Sequence, residues 1–374
     1  MVYLDHNATT PLLPEACDAM LPFMLHHWGN ASSPHAFADE PRKAVAEARA
    51  SVAELIGARP SEVVFTSGAT ESNQAVLDSF LGQGKSVIGS SVEHSSILTM
   101  LRSPGLASPA PLVPVSAQGA IDLQELQRIL EDSCPALISA IWVNNETGII
   151  SPVEDVVEQS HRAGAMVHLD AAQAAGKIPV DVENVRADYV SLSAHKVHGP
   201  KGIGALFVRE GAEFRPLLHG AQERGRRGGT EAVPLIVGFG MAARAAREKL
   251  EERQTTTLRL RDSFESRLLA SFPEAVVNGR GAPRVTNTSS VTFPGTDGEI
   301  LVALLSQRGV YVSNGSACKA SSPTPSHVLL AMGRSYEDSG ATVRFSFSSL
   351  NTNEDIDTAL AALSEVVPLV SDRG

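Results

Sequence analysis

Hydrophobic positions follow two alternating spacings through the central part of the chain. Between about residue 40 and residue 245, short apolar, often β-branched runs alternate with stretches of helical period. The stretch 41–56 has apolar residues on one helical face, and Gly57 follows it as a stop signal. This alternation is typical of βαβ units around a mostly parallel sheet. The predicted strands are 63–66, 87–88, 137–143, 166–170, 189–193 and 205–208.

The pattern changes beyond residue 248. A long charged helical stretch, 248–272, leads into a segment rich in Pro, Gly and Arg at 273–284, where the composition shifts. The elements predicted after it are a strand at 288–293, a helix at 298–307, a further strand, a Ser/Pro-rich loop at 313–326, a strand at 341–348 and a final helix. This order predicts a smaller α+β domain. We place the large domain at residues 12–255 and the small domain at residues 1–11 and 256–374.

Composition narrows the class of protein. At about 150 residues per domain, 374 residues favour two domains. The 42 acidic and 31 basic residues leave a net charge of −11, which repels polyanions, so direct nucleic-acid binding is not expected. The longest uncharged run, 103–121, contains four prolines and predicts no membrane span.

The three cysteines are too few and too far apart for a disulfide framework or a Cys-x-x-Cys metal site. Cys17 and Cys134 lie in apolar stretches, which predicts that both are core residues. Cys318 differs, because it lies in a polar loop beside Lys319. It is either an incidental loop thiol or a reactive cysteine whose thiolate the Lys319 charge favours. With no leader segment visible at the N-terminus, a reducing, cytoplasmic location is expected.

Three segments that follow predicted strands could carry chemistry. The turn 66–73 reads Thr-Ser-Gly-Ala-Thr-Glu-Ser-Asn and suits either a helix cap or a phosphate. Asp170 lies at the end of a strand, where it is either a helix N-cap or the partner of a cationic ring nitrogen. Lys196 lies among Ser, His and Gly, where either a Schiff-base lysine or a solvated lysine would fit.

A late strand carries the last candidate. Residues 342–347 alternate polar and apolar side chains, so Arg344 and Ser346 share one face. A guanidinium fixed on a strand can hold a carboxylate through two hydrogen bonds, although a surface salt bridge is the commoner use of arginine.

Taken in order, the phosphate turn, aspartate, lysine, loop cysteine and late arginine resemble the pyridoxal-phosphate cysteine desulfurases of the class-V aminotransferase-like family. The resemblance covers essentially the whole chain and includes the segments 3–11, 29–35, 92–94 and 143–148. The Ser-x-Ala-Cys context resembles the housekeeping and nitrogen-fixation type. The resemblance implies a fold type I α/β enzyme that binds pyridoxal 5'-phosphate, desulfurates L-cysteine as a homodimer, and passes sulfur to an acceptor protein for iron–sulfur cluster assembly or thiolation.

The resemblance also implies residue roles. Lys196 would hold the cofactor and move the substrate α-proton, and Cys318 would take the sulfur as a persulfide. Asp170 would pair with the pyridinium nitrogen, and Thr230 would reach the phosphate of the partner subunit. The implied set is catalysis by Cys318, Lys196 and His94, cofactor binding by Ala69, Thr70, His94, Asn145, Asp170, Gln173, Ser193, His195, Lys196 and Thr230, and substrate binding by Asn145 and Arg344.

The sequence departs from the family's pattern at several positions, and other functions could use some of the same residues. The run 219–222 is shorter and poorer in glycine than the family's usual segment, Ala38 replaces a common glycine, and His6 replaces a frequent aromatic residue. These departures bear on the dimer interface.

Other functions are compatible with some of these residues. A selenocysteine lyase or an aminotransferase would use the same Lys196 and Asp170. A metal site of His168, Asp170, His195 and His198, or a catalytically inactive binding module, would need neither Lys196 nor Cys318.

Overall fold

A computed structural model describes residues 1–103, 109–315 and 325–371 of the chain. The strands are β1 (Val2–Tyr3), β2 (Val63–Thr66), β3 (Val87–Ser90), β4 (Leu112–Val113), β5 (Leu137–Ile141), β6 (Met166–Asp170), β7 (Tyr189–Ser193), β8 (Gly204–Val208), β9 (Val276–Val277), β10 (Thr288–Thr292), β11 (Val310–Tyr311) and β12 (Thr342–Ser346). The α-helices are α1 (Pro14–Leu25), α2 (Asp39–Leu55), α3 (Ala69–Leu81), α4 (Ser95–Leu101), α5 (Leu123–Ser133), α6 (Val153–Arg162), α7 (Val182–Val185), α8 (Val233–Glu248), α9 (Leu250–Ser271), α10 (Gly298–Gln307), α11 (His327–Ala331), α12 (Tyr336–Gly340) and α13 (Asn353–Val370).

The large sheet has seven strands in the order β2-β8-β7-β6-β5-β3-β4. Strands β7, β6, β5, β3 and β4 pair in parallel, and β8 is antiparallel to both of its neighbours. Every residue of β5, β7 and β8 is buried, as expected for a sheet covered on both faces. The predicted α/β class with a mostly parallel central sheet is confirmed.

Most predicted strands coincide with observed ones, and the differences lie at their ends. The predicted strand 137–143 ends at Ile141 instead. Three residues further on, the side chain of Asn144 closes a turn by accepting hydrogen bonds from the backbone N–H groups of Glu146 and Thr147 at 2.9 and 3.0 Å. The predicted helix 248–272 is α9, separated from α8 by Lys249, whose ψ of 16° interrupts the helix.

The C-terminal part builds a second core with the N-terminus. β12, β10 and β9 form an antiparallel sheet, and β1 pairs in parallel with β11. Val2 and Leu4 belong to a hydrophobic cluster otherwise drawn from residues 260–367. Val285, Val328 and Met332 pack instead into the cluster under the large sheet.

The prediction that Cys17 and Cys134 are core residues is wrong. Cys17 is exposed on α1, whose buried residues are Ala16 and Met20. Cys134 is exposed at the C-terminal end of α5, in the left-handed conformation that ends the helix. Across the described ranges, no helix combines the length and apolar character needed to cross a bilayer.

Candidate active site

A cavity of about 540 Å³ opens at the carboxyl ends of the parallel strands. The last residues of β5, β6 and β7, which are Ile141, Asp170 and Ser193, all line it. Ligands of open α/β sheets bind at this edge. The cavity brings together these predicted site residues: Ala69, Thr70, His94, Asn145, Asp170, Gln173, Ser193, His195, Lys196 and Arg344.

Asp170 is held in place by two hydrogen bonds. Its carboxylate accepts from the Asn73 side chain at 2.8 Å and from the Ala172 backbone at 3.0 Å. Asn73 also donates to the Ser96 hydroxyl at 2.9 Å, and Ser96 lies 2.8 Å from His94 Nδ1. Asn73 therefore links the two groups predicted to contact a cofactor ring. Sequence reasoning did not assign it a role, although it is the last residue of the phosphate-turn motif.

Lys196 lies in the turn Ala194–Lys196 that follows β7. Its Nζ atom donates to the backbone carbonyls of Asn7 and Ala8 at 2.7 and 2.8 Å. The N-terminal segment therefore crosses the cavity and positions the lysine, which is half-buried. A lysine amine held by carbonyl groups in such a cavity is suited to covalent catalysis.

Gln173 belongs to a small network with Asn7 and Lys177. Gln173 Nε2 donates to the Asn7 carbonyl at 2.9 Å, and Lys177 Nζ donates to Asn7 Oδ1 at 2.6 Å and to Gln173 Oε1. A lysine ammonium has donors only, so Lys177 turns both amide oxygens toward itself. The amide nitrogens then point away, and Asn7 Nδ2 donates to the Asn145 carbonyl at 3.1 Å.

The part of the cavity lined by the start of α3 is suited to an anion. α3 begins at Ala69 without a side-chain hydrogen bond at its N-cap, Gly68, so the backbone N–H groups of its first turn are available. Among the described residues, no atom outside Gly68 and its two chain neighbours lies within 4 Å of the point where a Cβ at Gly68 would stand. Burial lowers the pKa of His195 to about 4, helped by the charges of Lys196 and Lys201, so His195 is neutral at pH 7.

Arg344 lies at the side of the cavity, on β12. Its guanidinium donates to the Asn145 carbonyl at 2.9 Å and to the Asp5 carboxylate at 2.6 Å. Asp5 belongs to the segment 3–11 that resembles the family, and the sequence predicts no role for it. A fixed guanidinium with further N–H groups suits a substrate carboxylate.

Two predicted site residues are not placed in this cavity. Thr230 is exposed and lies outside the lining, in a loop joined to the phosphate turn by the Arg227–Glu71 ion pair at 3.0 Å. Cys318 lies outside the described residues. Gly315, the last described residue before it, does line the cavity.

The alternative metal site is not assembled by the fold. His168 is fully buried in the sheet between the hydroxyls of Ser139 and Ser191, at 2.9 and 2.8 Å. His198 instead bonds the Pro11 carbonyl at 3.0 Å. Over the part of the chain that the structure describes, no group of three or more His, Cys, Asp or Glu side chains could hold a metal ion.

Similarity to known proteins decides the family. The sequence pattern of the class-V aminotransferases matches residues 2–359. This chain belongs to the class-V aminotransferase family. It is 43% identical over 373 residues to the cysteine desulfurase of Gluconacetobacter diazotrophicus, covering 98% of this chain and 93% of the relative. It is 42% identical to the cysteine desulfurase NifS of Azotobacter vinelandii, covering 99% and 92%.

Solved structures of this aminotransferase family agree with the fold. A NifS-like protein matches with a TM-score of 0.91 at 36% identity, over 99% of this chain and all of the other. The structure of SspA in complex with cysteine matches with a TM-score of 0.82 at 32% identity, over 94% of this chain and all of the other. The predicted resemblance to cysteine desulfurases is confirmed.

As a class-V aminotransferase, the chain is a pyridoxal 5'-phosphate enzyme. The described residues fit that cofactor. A carboxylate, Asp170, lines the cavity and could pair with a ring nitrogen, and the start of α3, which also lines it, could bind a phosphate. The Lys196 amine lines the same cavity, where it can form the covalent link.

Proposed function

We propose that this class-V aminotransferase is a cysteine desulfurase that converts L-cysteine to L-alanine and retains the sulfur as a persulfide on Cys318. One observation carries the proposal: in a chain closely similar to cysteine desulfurases over its full length, Asp170, Lys196 and Arg344 line one cavity. That SspA, of similar fold, was solved with cysteine supports the choice of substrate.

In this proposal, some of the residues that line the cavity bind the cofactor ring and others bind its phosphate. Asp170 pairs with the ring nitrogen, Gln173 donates to the phenolic oxygen, and His94 stacks on the ring and serves as acid or base. Ala69, Thr70, Ser193 and His195 hold the phosphate. When bound, pyridoxal phosphate supplies an electron sink for the charge left by removal of the α-proton.

Lys196 and Arg344 act on the substrate. Arg344 and Asn145 hold the α-carboxylate, which fixes the α-carbon relative to Lys196. The Lys196 amine, released when the substrate binds, accepts the α-proton. The carbonyls of Asn7 and Ala8 provide two acceptors that keep this amine within the cavity.

The sulfur leaves through Cys318. Its thiolate attacks the substrate sulfur, so an S–S bond forms as the substrate C–S bond breaks. The bonding electrons stay with the three-carbon unit, which is protonated and leaves as alanine. Because Gly315 lines the cavity, Cys318, three residues further along the chain, is within reach of the substrate.

We also propose a homodimer with shared active sites. Apolar side chains on α1 and the following loop are exposed, including Met24, Leu25 and Trp28, the last 71% exposed. Exposed apolar patches of this kind mark interaction surfaces. The loop after α1 is joined to the Thr230 loop through Ser32 and Glu231 at 3.2 Å, so a partner seated here would meet Thr230.

The sulfur acceptor is a protein in this proposal. The persulfide sulfur passes to an acceptor protein of iron–sulfur cluster assembly or of a thiolation pathway, and the net charge of −11 favours a protein intermediary over nucleic acid. The low cysteine content supports a cytoplasmic enzyme.

The chain is divided into two domains in this proposal. The large domain comprises residues 12–255, and the small domain comprises residues 1–11 and 256–374. The separate C-terminal core that includes Val2 and Leu4 supports this division.

Product analysis tests the reaction class. The purified holoenzyme is incubated with L-cysteine and a thiol reductant, and the products are separated. Alanine and sulfide in equal amounts are expected. A keto acid in place of alanine would instead show an aminotransferase, and turnover restricted to selenocysteine would show a selenocysteine lyase.

A further inference from the structure

Asn7 lies in the N-terminal segment that joins the small antiparallel sheet to the turn carrying Lys196. Only 2% of Asn7 is exposed, and its backbone N–H donates to the hydroxyl of Ser346, the last residue of β12, at 3.0 Å. Three residues further along, the N–H and the hydroxyl of Thr10 donate to the His195 carbonyl at 3.0 and 2.9 Å. Asn7 is therefore held between the two parts of the protein that meet at the cavity.

The side-chain amide of Asn7 is hydrogen-bonded at both of its polar atoms. Its Oδ1 atom accepts from Lys177 Nζ at 2.6 Å and from Asn287 Nδ2 at 3.1 Å. Its Nδ2 atom donates to the Asn145 carbonyl at 3.1 Å and to the Thr288 hydroxyl at 2.9 Å. Because a backbone carbonyl only accepts, a reversed amide would place its own oxygen against that carbonyl. The surroundings therefore allow one orientation of the amide.

The Asn145 carbonyl is shared by Asn7 and Arg344. It receives the Asn7 amide at 3.1 Å and the Arg344 guanidinium at 2.9 Å. Asn145 and Arg344 are the two residues proposed to bind the substrate carboxylate. The Asn7 side chain thus holds the backbone at the point where these two residues meet.

The backbone carbonyl of Asn7 holds the lysine of the proposed reaction. It accepts from Lys196 Nζ at 2.7 Å and from Gln173 Nε2 at 2.9 Å. Lys177, a buried lysine that the proposed reaction does not use, bonds the Oε1 atom of Gln173 as well as Asn7. One buried residue therefore contacts both the amine that accepts the α-proton and the backbone of the carboxylate site.

We propose that Asn7 is a positioning residue that sets the separation between the Lys196 amine and the substrate carboxylate site, with Lys177 fixing the orientation of its amide. Proton transfer needs the amine and the α-carbon in one geometry, and a misplacement of about 1 Å can lower a rate about a hundredfold. The inference rests on the substrate site of the proposed function, and it does not involve Cys318.

L-Alanine is the probe, because it carries a carboxylate and an α-proton but no sulfur. Its binding to the holoenzyme is titrated through the change in cofactor absorbance. The exchange of its α-proton with D2O is followed by NMR at saturating alanine. These two measurements report separately on the carboxylate site and on proton transfer to Lys196.

Asn7→Ala is the test variant, and Asn7→Asp is the second. The aspartate keeps the size of the side chain and the oxygen that faces Lys177, but it lacks the donor to Asn145. Asn278→Ala is the matched control. Asn278 is fully buried, donates to the hydroxyls of Ser290 and Thr292 at 3.3 and 3.0 Å, and is not among the described residues that line the cavity.

Both Asn7 variants should raise the half-saturating alanine concentration about tenfold or more and lower the exchange rate at saturation about tenfold or more. Asn278→Ala should change neither. If Asn7→Ala fails to fold, Asn7→Asp carries the test, because its carboxylate can pair with Lys177.

Unchanged affinity and exchange in a folded Asn7 variant overturn the inference. Loss of affinity alone also overturns it, since Asn7 would then act only at the carboxylate site, and so do equal losses in Asn278→Ala. A wild type that exchanges the α-proton but forms no alanine from L-cysteine contradicts the proposed function alone. In that case the losses in the Asn7 variants still support the positioning role.

Discussion

The carboxylate of Asp5 lies 2.6 Å from a terminal nitrogen of Arg344, 339 residues away along the chain. The second terminal nitrogen donates to the Asn145 carbonyl at 2.9 Å. The Nε atom of Arg344 is buried and has no hydrogen-bond partner among the described residues. The guanidinium is therefore oriented before substrate arrives, and three of its five N–H donors are left over by these two hydrogen bonds.

This geometry predicts the effect of replacing Arg344 by lysine. The Arg344→Lys variant keeps the positive charge but loses the planar set of donors, so substrate anchoring weakens by about 1.5–3 kcal/mol. We expect the KM for L-cysteine to rise about ten- to a hundredfold, with a smaller change in kcat. Initial rates against cysteine concentration measure both constants. An unchanged KM would show that Arg344 does not bind the substrate carboxylate.

Asn73 is predicted to act as a positioning residue through Asp170. The Asn73→Ala variant removes a hydrogen bond of 2.8 Å to the carboxylate, and such a bond to a charged group contributes about 1.5–3 kcal/mol. We expect kcat to fall about tenfold or more while the cofactor stays bound. Combining it with Asp170→Asn gives a double-mutant cycle. If the two effects on kcat simply add, the role assigned to Asn73 is wrong.

Glu93 predicts a pH dependence of stability. Its side chain is fully buried, one oxygen accepts the Ile141 N–H at 2.7 Å, and the other has no partner in the described structure. Burial raises the pKa of Glu93 from 4.5 to about 8, with the Asp170 charge contributing. The folded protein thus keeps a proton that the unfolded chain loses above pH 4.5, so this contribution to stability falls as pH rises to about 8.

The Glu93→Gln variant removes this dependence, because glutamine is neutral at every pH. The difference in free energy of unfolding between variant and wild type should grow in favour of the variant from pH 6 to pH 8, by at most about 1.4 kcal/mol per pH unit. Urea unfolding at each pH measures it, with the exposed Glu154→Gln as control. A difference that stays constant with pH would mean that Glu93 is ionised in the folded protein at pH 6.

Shared active sites can be tested with mixed dimers. If Thr230 serves the partner's phosphate, a dimer of one Lys196→Ala chain and one Thr230→Ala chain has one intact site and one doubly defective site. We expect the mixed dimer to recover up to half of the wild-type activity at low cofactor concentration, where both parent dimers are poorly active. Absence of recovery in a purified mixed dimer would place Thr230 in the site of its own chain.

The sequence predicted the features that depend on local pattern. Short runs rich in apolar residues marked β5, β6 and β7. Asp170, at the end of β6, and Lys196, shortly after β7, lie at the cavity as expected. Contacts between segments that are distant along the chain could not be predicted from local pattern. Asn7 meets Gln173 across 166 residues, and nothing local to either reveals that contact. The burial of Cys17 was predicted wrongly because apolar neighbours do not define which helix face turns inward.

In the proposed reaction, Cys318 removes sulfur from L-cysteine held by Lys196. The most direct test measures alanine formation from L-cysteine with added pyridoxal phosphate and a thiol reductant, for the wild type and Cys318→Ala side by side. Alanine is expected from the wild type alone, with an unchanged cofactor absorbance spectrum in the variant. Alanine formed at equal rates by both proteins, or by neither, would contradict it.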